Sequence, residues 1–448
     1  MNLPANQTQA RVSHFFSGPV TRFVALILAF AFALAIYAKA PLTPKERIEV
    51  FEKIWKNVDE HYYDPDFGGV NWREVRQRYL PLVQQVKDDQ EFYVLMDRMT
   101  GELHDAHTRF SSPGQWANRR KHQGISVGFR AGFVEGKVVV LDVAPAGNAA
   151  NAGVKAGMIV RALDDKPMEQ ELADAEINIP RSSSERITKL RMLSTIFSAN
   201  LDKPVDVSLE RADGTMFEAK YARQLLSNAP QVISAKLPDG SGYIRFDEFQ
   251  HSLVHDFRDA VASFRNAPGL VLDLRRNRGG DGATLGTMAG FFFEKKTLFE
   301  RRMSRKQVSV SQDGSRAAET KVFVGRSGEG IYKGPLVILI SEYSASATEV
   351  FSAGMQDTGR ATLVGTQSCG CVLGITHDRT MKGGGVLEIS EVLWFSPKGR
   401  KLEGEGVIPD REAIPTIAAL RENRDVMLQT GEKALEDLAA ARRTVPAQ

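Results

Sequence analysis

The chain has 448 residues, of which 42% are hydrophobic and 25% charged, and a formal net charge of +3. That length exceeds one ordinary domain and points to two or three, each with enough apolar residues to bury a core. The net charge is too small to argue for nucleic-acid binding, and two cysteines exclude a disulfide-built scaffold.

Residues 1–22 carry Arg11 and Arg22 and no acid, and form a cytoplasmic N-terminal segment if the following run is inserted in a membrane. Phe23 to Ala38 is an unbroken run of 16 apolar residues. It is long for a signal-peptide core and short of the roughly 20 residues of a membrane span. Ala38-Lys39-Ala40 looks like a signal-peptidase site, but Pro41 disfavours the cut. Residues 23–40 are therefore read as a membrane anchor in preference to a cleaved signal peptide. The remainder then lies on the periplasmic side of a bacterial inner membrane, or free in the periplasm if the segment is removed.

Residues 41–115 read as helical, with Ile48, Phe51, Ile54 and Trp55, then Tyr93, Leu95, Met96 and Met99, at helical spacing. Trp55, Tyr62 and Tyr63 read as core rather than as a ligand box. From 116 to 226 the texture changes to short strands and turns, with a helix at about Ile187–Ser198 and a closing strand at Val205–Leu209. Residues 227–440 alternate strands (Gly242–Phe246, Leu270–Leu274, Leu336–Ile340) with helices (Phe257–Phe264, Gly286–Phe293) and end in a helix pair over Ile414–Ala440. Residues 441–448 read as a disordered tail. The fold class is thus α+β and multidomain: an N-terminal helical region, a small strand-rich domain, and a mixed α/β core.

The most informative stretch is Ser341 to Val372. The apolar run Pro335–Ile340 reads as a buried strand, and Ala347–Gln356 as a helix. Between them a Ser/Ala turn places a hydroxyl at a helix N-terminus, where backbone N–H groups are unpaired and favour negative charge. An acyl-transfer nucleophile needs that setting. The pattern is Ser344-Ala345-Ser346-Ala347-Thr348-Glu349, then Gln356-Asp357-Thr358-Gly359-Arg360-Ala361. Upstream, the strand ending Asp273-Leu274-Arg275 runs into Arg276-Asn277-Arg278-Gly279-Gly280, whose glycines allow close backbone approach. Leu103-His104-Asp105-Ala106-His107-Thr108 offers a histidine suited to proton transfer near neutrality.

These residues resemble the carboxyl-terminal-processing (tail-specific) serine peptidases and their relatives, including the tricorn core protease, over roughly residues 45–440. The resemblance implies a mixed α/β peptidase core in which Ser346 is the nucleophile. It implies an oxyanion hole from the N–H of Gly279 or Gly280 and that of Ala347, with Asp357 and Arg360 bracing the nucleophile helix. The lysine that activates the serine in tail-specific members is absent, and Cys371 stands at its position in Gly370-Cys371. Lys382 and Lys398 are near in sequence but outside that motif. The tricorn-like branch implies a histidine base, which falls on His107, and a supporting glutamate. Glu403 is that glutamate, with Glu405 in reserve, both just before Gly406-Val407-Ile408-Pro409-Asp410.

Gly124-Ile125-Ser126-Val127 and Ala152-Gly153-Val154-Lys155-Ala156-Gly157-Met158 resemble a PDZ domain over 116–226. This implies a carboxylate-binding loop at Gly124–Val127 and polypeptide partners with unstructured C-terminal tails. No cofactor is implied. Cys369 and Cys371, with His377 nearby, lack the four-ligand spacing of a metal site, so none is assigned. A bond between them would be strained and easily reduced, which makes a redox latch beside the nucleophile conceivable. The resulting expectation is a serine endopeptidase, and the alternative is an inactive, PDZ-containing pseudopeptidase that binds tails.

Overall fold

The computed structural model describes residues 40–198, 203–227, 229–312, 319–325 and 330–444. The run Phe23–Ala38 lies outside these residues. Among the described residues no helix is long and apolar enough to cross a membrane.

Helices Pro44–His61, Trp72–Val83 and Asp89–Gly101 come first. Each starts where a side chain takes an orphan backbone N–H: Thr43 and Glu46 form a reciprocal capping box, Asn71 accepts from Glu74 N and Asp88 from Glu91 N. Their apolar stripes close on Phe51, Ile54, Val58, Trp72, Phe92 and Met96, and the same core takes Met381, Leu387 and Ile389 from the far end of the chain. A three-stranded antiparallel sheet makes this join, with Val386–Glu388 between Arg109–Ser111 and Arg379–Thr380. Arg109 Nε sits 2.7 Å from Glu388 Oε2 across it. The helical region 41–115 is therefore not self-contained: its core is completed from the later part of the chain.

The strand-rich segment is an antiparallel sheet in the order Phe129–Val134, Lys137–Val143, Ile159–Leu163, Pro204–Glu210, Met216–Ala222. Helices Met168–Asn178 and Glu185–Ile196 pack on it through Met168, Ala175, Met192, Leu193 and Ile196. Phe129–Val134 is an edge strand with Glu185–Ile196 beside it. One expectation changes here. Gly124, Ile125 and Ser126 are not in an open loop but in the strand Gln123–Ser126, which pairs antiparallel with Gln224–Ser227. Entry to and exit from the segment thus form one ribbon, because its two flanks must leave side by side. Only Val127 and Gly128 remain as a turn, with Gly128 at φ +85° and its N–H held 3.0 Å from Ser126 Oγ.

The core sheet has the order Val232–Lys236, Gly242–Phe246, Leu270–Asp273, Leu336–Ile340, Thr362–Gly365, Arg411–Glu412. All neighbours after the first pair are parallel. Parallel strands need both faces covered, which explains the unbroken apolar run Leu336–Ile340. Leu336, Ile338 and Ile340 face one core with Phe257, Leu285 and Phe351, while Val337 and Leu339 face the other with Met427, Ala434 and Leu435. The second face is covered by the helix Val426–Thr444. That helix corrects the expected tail: residues 441–444 are helical, and Arg442 Nη1 donates to Lys333 O at 2.9 Å. Loops leave the carboxyl ends of the neighbouring parallel strands Leu270–Asp273 and Leu336–Ile340, the end of the strands where open α/β sheets place their sites.

Candidate active site

Ser346 ends the turn Ser341–Ser346 and begins the helix Ala347–Asp357. Its backbone is at φ +58°, ψ −124°, a conformation costly for any residue with a side chain. Short bonds hold it there. Ser344, fully buried, donates from Oγ to Leu274 O at 2.8 Å, and Ser341 Oγ donates to Arg275 O at 2.7 Å. Ser344 is thus a structural tie, while Ser346 is the serine set at the bend. The Ala347 N–H lies in the first helical turn, where no intrahelical acceptor exists.

The glycine loop meets this bend directly. At Gly279, φ +101°, a Cβ would stand 2.7 Å from Ser346 Cβ and 3.0 Å from Ala347 N. Gly280 faces the backbone of Phe249 instead, where a Cβ would stand 2.5 Å from the Phe249 carbonyl oxygen. The two glycines, inseparable in sequence, are thus separated in space. Gly279 N–H donates to Asn277 Oδ1 at 2.9 Å, and Thr348 Oγ1 donates to the same oxygen at 2.6 Å. The oxyanion donor expected at Gly279 is therefore engaged in this conformation.

Glu349 is the hub that sequence reading passed over. Fully buried, it accepts from Ser346 N (3.0 Å), Cys371 N (2.9 Å), Gly370 N (2.7 Å) and Ser368 Oγ (2.6 Å). Burial pushes its carboxyl up to about 7 against those four donors. Ser346 N also donates to Cys371 O at 2.9 Å, and Cys369 N to Ser344 O at 3.0 Å. The turn bearing Cys371 therefore packs onto the nucleophile turn, where the resemblance puts a lysine. Cys369 and Cys371 are bonded to each other, with Cα atoms 5.3 Å apart. Glu349, Cys369 and Cys371 bring ligand atoms within 4.8 Å of one another. In this arrangement both sulfurs are used by their mutual bond and the carboxylate by four donors. Lys382 is not an alternative base, since it pairs with Glu46 at 2.6 Å, and Lys398 is exposed.

His107 follows Ala106, which packs against Cys369 and Cys371, with Ala345 alongside. Ala106 N–H donates to Ser183 Oγ at 2.9 Å, tying the histidine loop to the segment before the helix Glu185–Ile196. Burial lowers the imidazole to about 4, opposed by Asp105, so the ring is neutral near pH 7. His107 Nδ1 is buried without a hydrogen-bond partner, so neither Glu403 nor the Ser346 hydroxyl is bonded to that nitrogen. Glu403 is 8% exposed and accepts from Val372 N at 2.6 Å. Burial pushes it up to about 8, with the Ser183 hydroxyl opposing and the charges of Asp105 and Glu349 adding to the rise. Glu405 has an exposed side chain; its carbonyl accepts from Arg186 and Gln367, and its N–H donates to Leu402 O at 3.2 Å.

Asp357 and Arg360 tie the end of the helix Ala347–Asp357 to neighbouring segments. Asp357 accepts from Lys398 N at 3.0 Å and pairs with Arg400, and Arg360 donates to Tyr332 O at 2.6 Å and Phe292 O at 3.1 Å.

Residues 240–413 match the Peptidase family S41 model, and 43–101 match the Tricorn protease C1 domain. The chain is 23% identical over 429 residues to a carboxyl-terminal-processing protease of Synechocystis sp., covering 91% of this chain and 92% of that one. It is 23% identical to the tricorn protease of Thermoplasma acidophilum, over 82% of this chain and 33% of that protein. Among solved structures, the photosystem II D1 C-terminal processing protease superposes with a TM-score of 0.55 at 22% identity, over 89% and 98% of the two chains. Mature CPAF superposes with a TM-score of 0.67 at 12% identity, over 90% and 99%. Residues 240–413 thus match the pattern of peptidase family S41, and along most of its length the chain is similar to carboxyl-terminal-processing proteases; these likenesses identify a serine-type peptidase.

Proposed function

We propose that the protein is a serine endopeptidase that cuts unstructured C-terminal tails of polypeptides outside the cytoplasm, held at the membrane by residues 23–40. The observation that carries this is Ser346 at a positive φ between a buried strand and a helix, with Gly279 packed against its Cβ. In the proposed reaction, Ser346 Oγ attacks the scissile carbonyl carbon while its proton passes to His107 Nε2. The N–H groups of Ala347 and of the glycine loop then take the oxyanion, once Gly279 N–H leaves Asn277. Collapse breaks the C–N bond as the imidazolium returns the proton to the leaving amine. Glu403 is the carboxylate that the resemblance assigns to the imidazole. The segment 116–226 acts as a PDZ domain. Its edge strand Phe129–Val134 supports tail binding by strand addition.

A second reading, a tail-binding pseudopeptidase, is favoured by Cys371 at the lysine position and by the engaged Gly279 N–H. Labelling of the protein with a fluorophosphonate, located by mass spectrometry, separates the two. An adduct on Ser346 that disappears in His107→Ala supports the peptidase with a histidine base. An adduct that survives His107→Ala removes the base assignment. No adduct, even with a tail peptide present, establishes the pseudopeptidase.

A further inference from the structure

Asp105 is 4% exposed, and its carboxylate is used on one side only. Oδ1 accepts from His107 N (2.7 Å), Thr108 N (2.6 Å) and Ser390 Oγ (2.9 Å). Oδ2 is buried with no partner. Two residues on, His107 Nδ1 is also buried with no partner. Buried polar atoms rarely stay unsatisfied, and each that does asks for an explanation. Here one loop holds a bare carboxylate oxygen and a ring nitrogen that can carry a proton, and Asp105 is the largest opposing charge on the imidazole. Glu403, by contrast, already accepts the Val372 N–H.

Resting on the reading of His107 as the base, we propose that Asp105, not Glu403, is the positioning residue for His107. Oδ2 accepts the Nδ1–H, fixes the tautomer that leaves Nε2 free for the Ser346 proton, and stabilises the imidazolium. The three donors on Oδ1 fix the carboxylate, so the pair closes by movement of the imidazole and not of Asp105. Arg109, Glu388 and Arg191 are the other charged groups acting on the ring. On the Asp105 side, the Tyr62 hydroxyl bears on the same carboxylate as a hydrogen-bond donor, and Glu403 adds a like charge.

The test is the rate of fluorophosphonate labelling of Ser346 across pH in the full chain. Asp105→Asn keeps an oxygen for the three Oδ1 donors but puts an amide donor opposite Nδ1. It is expected to lower the labelling rate by about 10²-fold or more and to move the midpoint of the pH profile downward. Glu403→Gln is the comparison: the assignment requires that it lose less rate than Asp105→Asn and leave the midpoint of the pH profile in place. A parent-like rate in Asp105→Asn, or a collapse confined to Glu403→Gln, overturns the assignment. Should Asp105→Asn fail to fold, the parent protein still decides. Histidine-selective ¹⁵N NMR, with the His107 signal identified by its loss in His107→Gln, reads the tautomer. A proton on Nδ1 supports the pair, and a bare Nδ1 overturns it. Absence of any Ser346 adduct in the parent would sink the peptidase reading alone, since the tautomer is measured without turnover.

Discussion

Tyr343, three residues before Ser346, donates its hydroxyl to Ala131 O at 3.1 Å, and the Arg130 guanidinium lies 4.8 Å from its ring centre. Ala131 belongs to the edge strand Phe129–Val134. The hairpin after it closes through Glu135 and Gly136, both at positive φ, with Val134 opposite Lys137. Counting back from that closing pair, Ala131 opposite Val140 is a non-hydrogen-bonded pair, so its carbonyl points to the open edge. The nucleophile turn thus occupies an acceptor that an added strand would use. Tyr343→Phe frees it. A net hydrogen bond of about 1 kcal/mol corresponds to roughly fivefold tighter binding of a tail peptide, measured by fluorescence anisotropy. Unchanged affinity would show that an added strand does not reach Ala131.

Gly279 leaves no room for a methyl group beside Ser346. Gly279→Ala is expected to lower Ser346 labelling by about 10²-fold or more, the scale of losing an oxyanion donor. Gly286, with open space where a Cβ would go, supplies the control: Gly286→Ala should label at the parent rate. Equal rates in both variants would remove Gly279 from the site.

Glu349 and Glu403 make a pH prediction. Burial raises them from 4.5 to about 7 and about 8. Between those limits the folded state holds protons that the unfolded chain has released. Each group therefore lowers stability as pH rises, by about 1.4 kcal/mol per pH unit inside its own window, with no further change above it. The urea midpoint should fall from pH 4.5 to 8. Glu349→Gln should flatten the part below 7, and an unaltered slope in that variant would show that Glu349 is ionised throughout.

The Cys369–Cys371 bond closes a turn whose carbonyl at Cys371 accepts from Ser346 N. Reduction with dithiothreitol is expected to slow Ser346 labelling several-fold, with recovery on reoxidation, and Cys369→Ala with Cys371→Ala should label at the reduced rate under both conditions. Labelling indifferent to reduction would leave the bond with no part in positioning the serine.

What could be read in the chain beforehand was local. The strand Leu336–Ile340, the bend at Ser346 and the helix after it are contiguous, and their apolar run and small residues announce them. Asp357 and Arg360 lie on that same helix or just past it. Glu349 stood inside the quoted motif, yet its acceptor role depends on Gly370 and Cys371, 21 and 22 residues further on, which periodicity does not reach. Asp105 was likewise in view as part of a histidine motif, and only three-dimensional burial distinguishes its filled oxygen from its empty one. The ribbon formed by Gly124–Ser126 was misread as a loop because its partner strand, Gln224–Ser227, lies a hundred residues away.

The join between the two ends of the chain bears on synthesis. The first three helices cannot complete their core until Leu387 and Ile389 have emerged, and only then does the His107 loop gain its ties from Asp105 and Thr108 to Ser390. Contacts of such sequence separation form late and slowly. A nascent or truncated chain therefore exposes unfinished apolar surface but no assembled site, so the topology itself keeps a half-made molecule from cutting its neighbours.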